Sequence, residues 1–315
     1  MSELDLLVPR AVRFDGWHGF PGGSAACAVT AFAAASLTLP EWFTILPAAP
    51  GGHRNPVTVL LLKHEATGRL ALFDLGIKSN WRDDVPVEQM PEFDVFDVHI
   101  EADLVDVLAG KGIQPADVST VVLSHHHFDH IGDAGQFPAS QILVGPDTRH
   151  RIRALDAHAH VAEVSWEAAS GPVATFERSF DVWGDGSFVL VDAPGHTSGH
   201  LGALIRTGEN EYVLAAADCC HHPALLAPQP GEEHFRLGRW RKDGEPADEP
   251  PRHANYDDYP LAEATLERVK AAERRNDILV VLAHNSRLWE KWGKEQMVRE
   301  GVELKGWKEK GLKVQ

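Results

Sequence analysis

Four potential metal ligands fall within six residues of this chain: His125, His127, Asp129 and His130. They follow an apolar, β-branched run, Val118–Leu123, that predicts a buried strand. Side chains two residues apart on a strand point the same way, so His125 and His127 can face one metal ion. Asp129 and His130 lie where the chain turns, and they can reach a second ion about 3.5–4 Å from the first. Imidazole and carboxylate groups suit zinc and similar divalent ions, so this spacing predicts a metal centre rather than an exposed histidine-rich loop.

Three further candidates stand at the carboxyl ends of other predicted strands: His196, Asp218 and His284. Taken singly, each is typical of a polar residue that ends a strand and has its hydrogen bonds satisfied. Taken together with the first four, they complete two sets of ligands. Two neighbouring cations lower the pKa of a shared water and polarise a carbonyl oxygen, which is the chemistry of a metal-dependent hydrolase.

The elements that must position these residues alternate between strands and helices, which predicts an α/β fold class. A hairpin is predicted over residues 57–64 and 69–75, where two apolar runs flank a turn sequence. The Ala-rich segment at residues 24–39 is too short to span a bilayer, and we interpret it as a small-residue segment at the start of the fold that forms a loop near the site. Further strands are predicted at 118–123, 141–144, 187–191, 201–206, 212–216 and 278–283, and amphipathic helices at 261–275 and near the carboxyl end.

No composition shift marks a domain boundary, so residues 1–315 are predicted to form one hydrolase domain. Residues 228–260, rich in Pro, Gly and charge, interrupt it as an inserted loop between Asp218 and His284. Such long connections are usually lids or binding loops. This insertion is therefore expected to help form the substrate pocket.

Composition limits the classes of partner and the compartment. The chain has 46 acidic and 30 basic residues, a formal charge of −16, which opposes nucleic-acid binding. Its three cysteines, Cys27, Cys219 and Cys220, are too few for a disulfide framework and favour a reducing compartment. Together with the lack of a membrane-spanning run, this predicts a cytoplasmic protein that acts on a small molecule. The oligomeric state is left open.

The order of the motifs resembles that of the metallo-β-lactamase superfamily, and most of all its dinuclear lactonase-like branch, which includes N-acyl homoserine lactonases. The resemblance rests on His-x-His-x-Asp-His, on His196 in a Pro-Gly-His-Thr context, and on Asp74 in Leu-Phe-Asp-Leu-Gly, and it covers roughly residues 37 to 285. It implies an αββα sandwich, in which two mixed β-sheets pack face to face with helices on the outer faces. Asp74 would be a buried aspartate that supports the metal ligands.

The same resemblance implies a division of the ligands. His125, His127 and His196 would hold one metal ion, Asp129, His130 and His284 the other, and Asp218 would bridge them. A metal-bridging hydroxide would open a cyclic ester such as an N-acyl homoserine lactone, and Asp129 would orient it and carry a proton to the leaving group. Zinc is the expected metal, with manganese or iron as alternatives, because this ligand set accepts all three.

Two departures bear on the substrate. Related lactonases often carry a tyrosine three residues after the bridging aspartate, where this chain has His221. We predict that His221 assists catalysis there, by donating to the developing oxyanion or by protonating the leaving group. The Gly-Gly that often follows the metal motif is replaced by Ile131-Gly132-Asp133.

Other reactions stay open on the same ligand set. The first alternatives are hydrolysis of a lactam or cyclic carbamate, and a thioesterase resembling glyoxalase II, which would need a cationic site for its substrate. A nuclease is disfavoured by the charge of −16. A mono-iron sulfur dioxygenase and a non-catalytic binding module are the remaining classes. The first would consume oxygen, and the second would require that no metal is bound.

Overall fold

The computed structural model describes residues 16–85, 90–168, 170–242, 245 and 252–314. The predicted single domain over residues 1–315 therefore extends past the described residues at both ends. Within the predicted insertion at 228–260, residues 243–244 and 246–251 also lie outside the described residues.

The strands, which mostly follow apolar runs, form two large sheets and one small one. Over the described residues they are β1 (Cys27–Pro40), β2 (Ile45–Leu46), β3 (Gly52–His64), β4 (Leu70–Phe73), β5 (His99–Ile100), β6 (Val118–Leu123), β7 (Gln141–Val144), β8 (Val161–Glu163), β9 (Ser179–Asp181), β10 (Phe188–Asp192), β11 (Leu201–Gly208), β12 (Glu211–Ala217), β13 (Arg236–Leu237), β14 (Ile278–Leu282) and β15 (Val302–Glu303).

Both large sheets are mixed. The first has the order β15-β1-β3-β4-β6-β7-β8, with β5 also paired to β1, and its strands β4, β6, β7 and β8 run parallel. The second has the order β14-β12-β11-β10-β9, with β12 and β14 parallel. The remaining pair, β13 and β2, joins the insertion to the segment between β1 and β3. The predicted hairpin is confirmed as the antiparallel pair β3 and β4.

The helices are short except for one. They are α1 (Glu41–Thr44), α2 (Met90–Phe93), α3 (Leu104–Ala109), α4 (Phe128–Ile131), α5 (Pro223–Leu226), α6 (Tyr259–Glu273), α7 (Ser286–Trp292) and α8 (Lys294–Arg299). The long helix α6 begins two residues before the predicted start, because the Asp258 side chain accepts a hydrogen bond from the Leu261 amide and Pro260 suits the first turn. Within the described part of the chain, no helix is both long and apolar enough to cross a membrane.

The core lies in three layers, which confirms the predicted αββα sandwich. Inward-facing residues of the two sheets pack against each other, and the outer face of each sheet packs against helices such as α3 and α6. In β12, for example, Val213 and Ala215 join the layer between the sheets, whereas Tyr212 and Leu214 join the layer under α6. Both faces of such a strand are buried, and this explains its continuous apolar run.

The prediction of a loop at residues 24–39 is wrong. These residues lie largely in β1, which is 14 residues long and pairs with β3, β5 and β15. Alanine has a low strand propensity, but Ala31 and Ala33 are buried between the two sheets, where a small side chain fits. Tertiary packing outweighs the local preference at this position.

Candidate metal centre

The candidate ligands meet at one edge of the sandwich because they follow strands whose carboxyl ends lie there. His125 lies two residues after the end of β6. Asp218 directly follows β12, and His284 lies two residues after the end of β14. The backbone amide of Leu201 donates to the carbonyl of Ser124 at 2.8 Å, which joins the second sheet to the start of the histidine motif. The structure thus brings all seven predicted ligands together, in two adjacent groups.

The first group contains His125, His127, His196 and Asp218. His125 Nε2 lies 2.9 Å from His127 Nδ1 and 3.1 Å from His196 Nε2, and the last two nitrogens are 3.0 Å apart. Asp218 Oδ2 lies 3.8 Å from His125 Nε2 and 3.6 Å from His196 Nε2. Three ring nitrogens and one carboxylate oxygen therefore converge on a single point.

Hydrogen bonds on the far side of the rings show which nitrogens carry protons. His196 Nδ1 donates to the carbonyl of Asn255 at 2.8 Å, and the Ser124 hydroxyl, which donates to Asp74, accepts from His125 Nδ1 at 3.0 Å. In the neutral rings, Nε2 of His125 and Nε2 of His196 are then both unprotonated, and their lone pairs face each other across 3.1 Å. Two such acceptors repel each other unless a cation lies between them, so this group fits a metal ion.

The second group contains Asp129, His130 and His284, and Asp218 lies between it and the first. Asp129 Oδ2 is 3.2 Å from His284 Nε2 and 3.8 Å from His130 Nε2. Both oxygens of Asp218 face this group, with Oδ1 3.4 Å from His284 Nε2 and Oδ2 3.3 Å from His130 Nε2, and Oδ2 also faces the first group. His130 Nε2 and Asp218 Oδ1 are buried without a hydrogen-bond partner, as expected of atoms that bind a metal ion.

Asp74 holds the second group in place through His130, as the resemblance implied. It is 1% exposed, accepts from the Ser124 amide at 2.6 Å, and holds His130 Nδ1 at 2.8 Å. Its backbone has a φ of 64°, a left-handed conformation that costs free energy in a residue other than glycine. This anchor directs His130 Nε2 toward Asp218 and Asp129.

The charges of the two groups differ in the metal-free protein. Burial, followed by the neighbouring imidazoles, holds the pKa of His125 and of His196 well below the ordinary value, so both rings are neutral, as metal ligands must be. Burial also disfavours charge on His284, but the Asp218 carboxylate outweighs it and raises the pKa to about 10. Burial would raise the pKa of Asp218, but His130 and His284 outweigh it and hold it well below the usual range. Metal binding at the second group would therefore displace protons.

His221 lies within this site, and sequence reasoning missed its partners. Its Nε2 is 3.1 Å from Asp218 Oδ2, and its Nδ1 is 3.1 Å from the hydroxyl of Tyr256. The Asn255 side-chain amide also lies 3.2 Å from Nε2. Since a carboxylate only accepts, His221 Nε2 donates to Asp218 and Tyr256 donates to Nδ1. No motif marks Tyr256 or Asn255, because they lie in the insertion, more than 30 residues away.

A cavity of about 720 Å³ opens above the two groups. Asp129, Asp218, His221 and His284 line its inner end. This volume lies within the range of small-molecule sites, roughly 300–1,000 Å³. Four described residues of the insertion also line it: Trp240, Lys242, Ala254 and Asn255. The insertion thus contributes to the cavity, and through Asn255 it also orients His196.

Gly195 allows the close approach of α6 to His196, and its replacement by alanine is expected to disturb the first group. Its φ is 127°, and an added Cβ would lie 2.3 Å from the amide nitrogen of Ala262. We expect Gly195→Ala to destabilise the protein by about 1–3 kcal/mol and to weaken metal binding, as measured by thermal unfolding and metal analysis. Gly231→Ala is the control, since Gly231 has a φ of 95° but open space around it. Equal effects of the two variants would contradict the steric argument.

Comparisons with known proteins agree with this arrangement. Residues 53–215 match the family model of the metallo-β-lactamase superfamily. Metallo-hydrolase mfmC from Annulohypoxylon moriforme is 31% identical over 310 residues, which cover 84% of this chain and 78% of mfmC. Gamma-lactamase FDB1 from Fusarium pseudograminearum is 26% identical over 265 residues, 69% of this chain and 62% of FDB1. Some other relatives are much longer, and the chain spans only 29% of their length.

Solved structures show the same fold. The structure of an N-acyl homoserine lactone hydrolase, with N-hexanoyl-L-homoserine bound at its catalytic metal centre, superposes with a TM-score of 0.61 at 18% identity, over 85% of this chain and 96% of that one. The family match covers more than half of the 315 residues, and the named relatives are hydrolases. These findings confirm the predicted resemblance, and the chain belongs to the metallo-β-lactamase superfamily.

Proposed function

We propose that this protein is a dinuclear metallo-hydrolase that opens a cyclic ester. His125, His127 and His196 hold one divalent ion, Asp129, His130 and His284 hold the other, and Asp218 is shared. The observation that carries the proposal is that the two groups meet at Asp218 and that members of both, His127 and Asp218 with Asp129 and His284, line the 720 Å³ cavity. Bound there, two such ions would supply an activated water and a polarised carbonyl. Zinc fits this nitrogen and oxygen donor set best, and manganese and iron also fit.

The chain's own groups would handle the protons. Asp129 lines the cavity, and its Oδ2 lies 3.2 Å from His284 Nε2. Burial favours the neutral acid, but His130 and His284 outweigh this and hold the pKa of Asp129 below its ordinary value. The ionised carboxylate can take a proton from water and return it to the leaving oxygen. No side-chain nucleophile is required, and burial raises the pKa of the nearby Cys220 thiol to about 12, which keeps it inert.

His221 would assist from beside Asp218. Its ring lines the cavity, and its Nε2 proton is directed at Asp218 Oδ2. From this position it can steady the shared carboxylate, and a substrate carbonyl oxygen that reaches Nε2 could share the same proton. Tyr256 is a positioning residue, because its hydroxyl bond to Nδ1 selects the tautomer that carries the proton on Nε2.

A cyclic amide is the second candidate substrate, because the relative FDB1 is named a gamma-lactamase and aligns over 69% of this chain. We expect the protein loaded with Zn²⁺, Mn²⁺ or Fe²⁺ to release acid from lactones in a pH-stat assay, and more slowly from lactams of the same ring size. The metal-free protein should be inactive. Acid release from thioesters alone, or from none of the panel in any metal form, would contradict the proposal.

A further inference from the structure

Six aromatic side chains line the cavity beyond the metal centre. They come from separate parts of the chain: Trp42, Phe43, Phe93, Phe96, Phe128 and Trp240. Trp42 and Phe43 lie in α1, and Trp240 lies in the insertion. The sequence separation shows that only the folded chain assembles this set, which we term the aromatic wall.

The rings of the aromatic wall form two connected groups. Phe43 and Trp240 are stacked at 5.6 Å between ring centroids, with Trp42 edge-on to Trp240 at 5.1 Å. Phe96 and Phe128 are near-parallel at 6.5 Å, and Phe93 stands edge-on to Phe128 at 5.3 Å. The contact between Phe43 and Phe96, at 5.4 Å, joins the two groups. These are the offset and edge-to-face geometries that aromatic rings prefer, so a further ring can extend either group.

The aromatic wall is partly open to solvent. Its six rings are half-buried or exposed, and Trp42 is 38% exposed. Val95, which also lines the cavity, is 48% exposed. Large apolar side chains left open to solvent around a cavity mark a ligand surface more often than a packing defect.

We propose that the substrate carries a planar aromatic ring, attached to or fused with the cyclic ester or amide, and that the aromatic wall selects it. The inference rests on the proposed function, because the wall lines the same cavity as members of the two metal-ligand groups. A flat ring bound to the wall gains the ring-to-ring contacts that an aliphatic group of equal size lacks. One such contact corresponds to a ~2- to 10-fold gain in affinity beyond the burial of area.

A matched pair of lactones tests this preference. N-phenylpropanoyl and N-cyclohexylpropanoyl homoserine lactone have the same reacting ring and the same number of carbon atoms, but only the first has a planar group. The cyclohexyl group is the bulkier and more apolar, so burial alone favours it. For the metal-loaded full chain we expect kcat/KM to be ~2- to 10-fold higher for the phenyl compound. Calorimetry with the two ring-opened acids should show a lower Kd for the phenyl acid than for the cyclohexyl acid.

Variants separate ring contacts from apolar bulk. Trp240→Leu and Phe96→Leu, one from each group, should bring the phenyl-to-cyclohexyl ratio to one or below. The control is Trp17→Leu, since Trp17 is 37% exposed and packs on Phe20 outside the cavity, and it should keep the wild-type ratio. A wild-type ratio of one or below, or unchanged ratios in both leucine variants, overturns the inference.

The binding assay distinguishes this failure from that of the proposed function. If neither lactone is hydrolysed but the phenyl acid binds more tightly, the aromatic preference holds and the hydrolase proposal fails. If both lactones are hydrolysed with equal kcat/KM and their acids bind equally, the hydrolase proposal holds and the aromatic preference is overturned.

Discussion

Asp218→Asn is expected to lower the hydrolytic rate by at least ~10³-fold and to leave the protein with one metal ion or none per chain. Asp218 Oδ2 lies near both ligand groups and Oδ1 faces His284 of the second, and asparagine keeps the shape of this side chain but removes the charge that a shared ligand needs. A lost bridging carboxylate removes several kcal/mol of charge stabilisation, which corresponds to this change in rate. Elemental analysis and a pH-stat assay measure the two effects.

Thermal unfolding gives a readout that does not depend on activity. A ligand that binds only the folded state stabilises it in proportion to RT ln(1 + [L]/Kd), so added Zn²⁺ should raise the Tm of the wild type far more than that of Asp218→Asn. Asp192→Asn is the matched control, since Asp192 is also a largely buried aspartate at a strand end but pairs with Arg178 instead. Asp218→Asn with two bound metal ions and wild-type activity would contradict the dinuclear assignment.

The strands that carry the candidate ligands could be predicted because they are buried on both faces. Their residues are mostly apolar or β-branched, and β6 has the predicted bounds. The polar residue that ends each run is then conspicuous, as with Asp218 after β12. The ligand set could be read from these positions because the chemistry requires only a few residue types at strand ends.

Features that depend on contacts between distant segments could not be predicted. The strand β1 was missed because its alanines signal no strand until the second sheet packs against them. Tyr256 was missed because nothing in its local sequence shows that it meets His221. The members of the aromatic wall are scattered along the chain, so no local pattern marks them as one surface.

His221→Phe is expected to keep both metal ions and to lower kcat by ~10- to 1,000-fold. The phenyl ring preserves the packing beside His284, whose ring lies 5.8 Å away at an interplanar angle of 14°, but it cannot donate to Asp218 Oδ2 or to a substrate oxygen. The size of the loss is that expected for one donor of an oxyanion site or one general acid. His221→Tyr, which restores a donor, should retain part of the activity. Wild-type kcat/KM in His221→Phe would contradict the assignment.

Tyr256→Phe tests whether Tyr256 acts through His221. It removes the hydroxyl that lies 3.1 Å from His221 Nδ1 and leaves the ring buried. The tautomer of His221 that carries its proton on Nε2 is then no longer favoured by this hydrogen bond. We expect kcat to fall ~10-fold, within the range for a lost partner that orients a site residue, with metal content unchanged. In the His221→Phe background the same substitution should cost nothing further, because the group it positions is already absent. Full additivity of the two losses would show that Tyr256 serves the reaction by another route, since residues that act as one unit are non-additive.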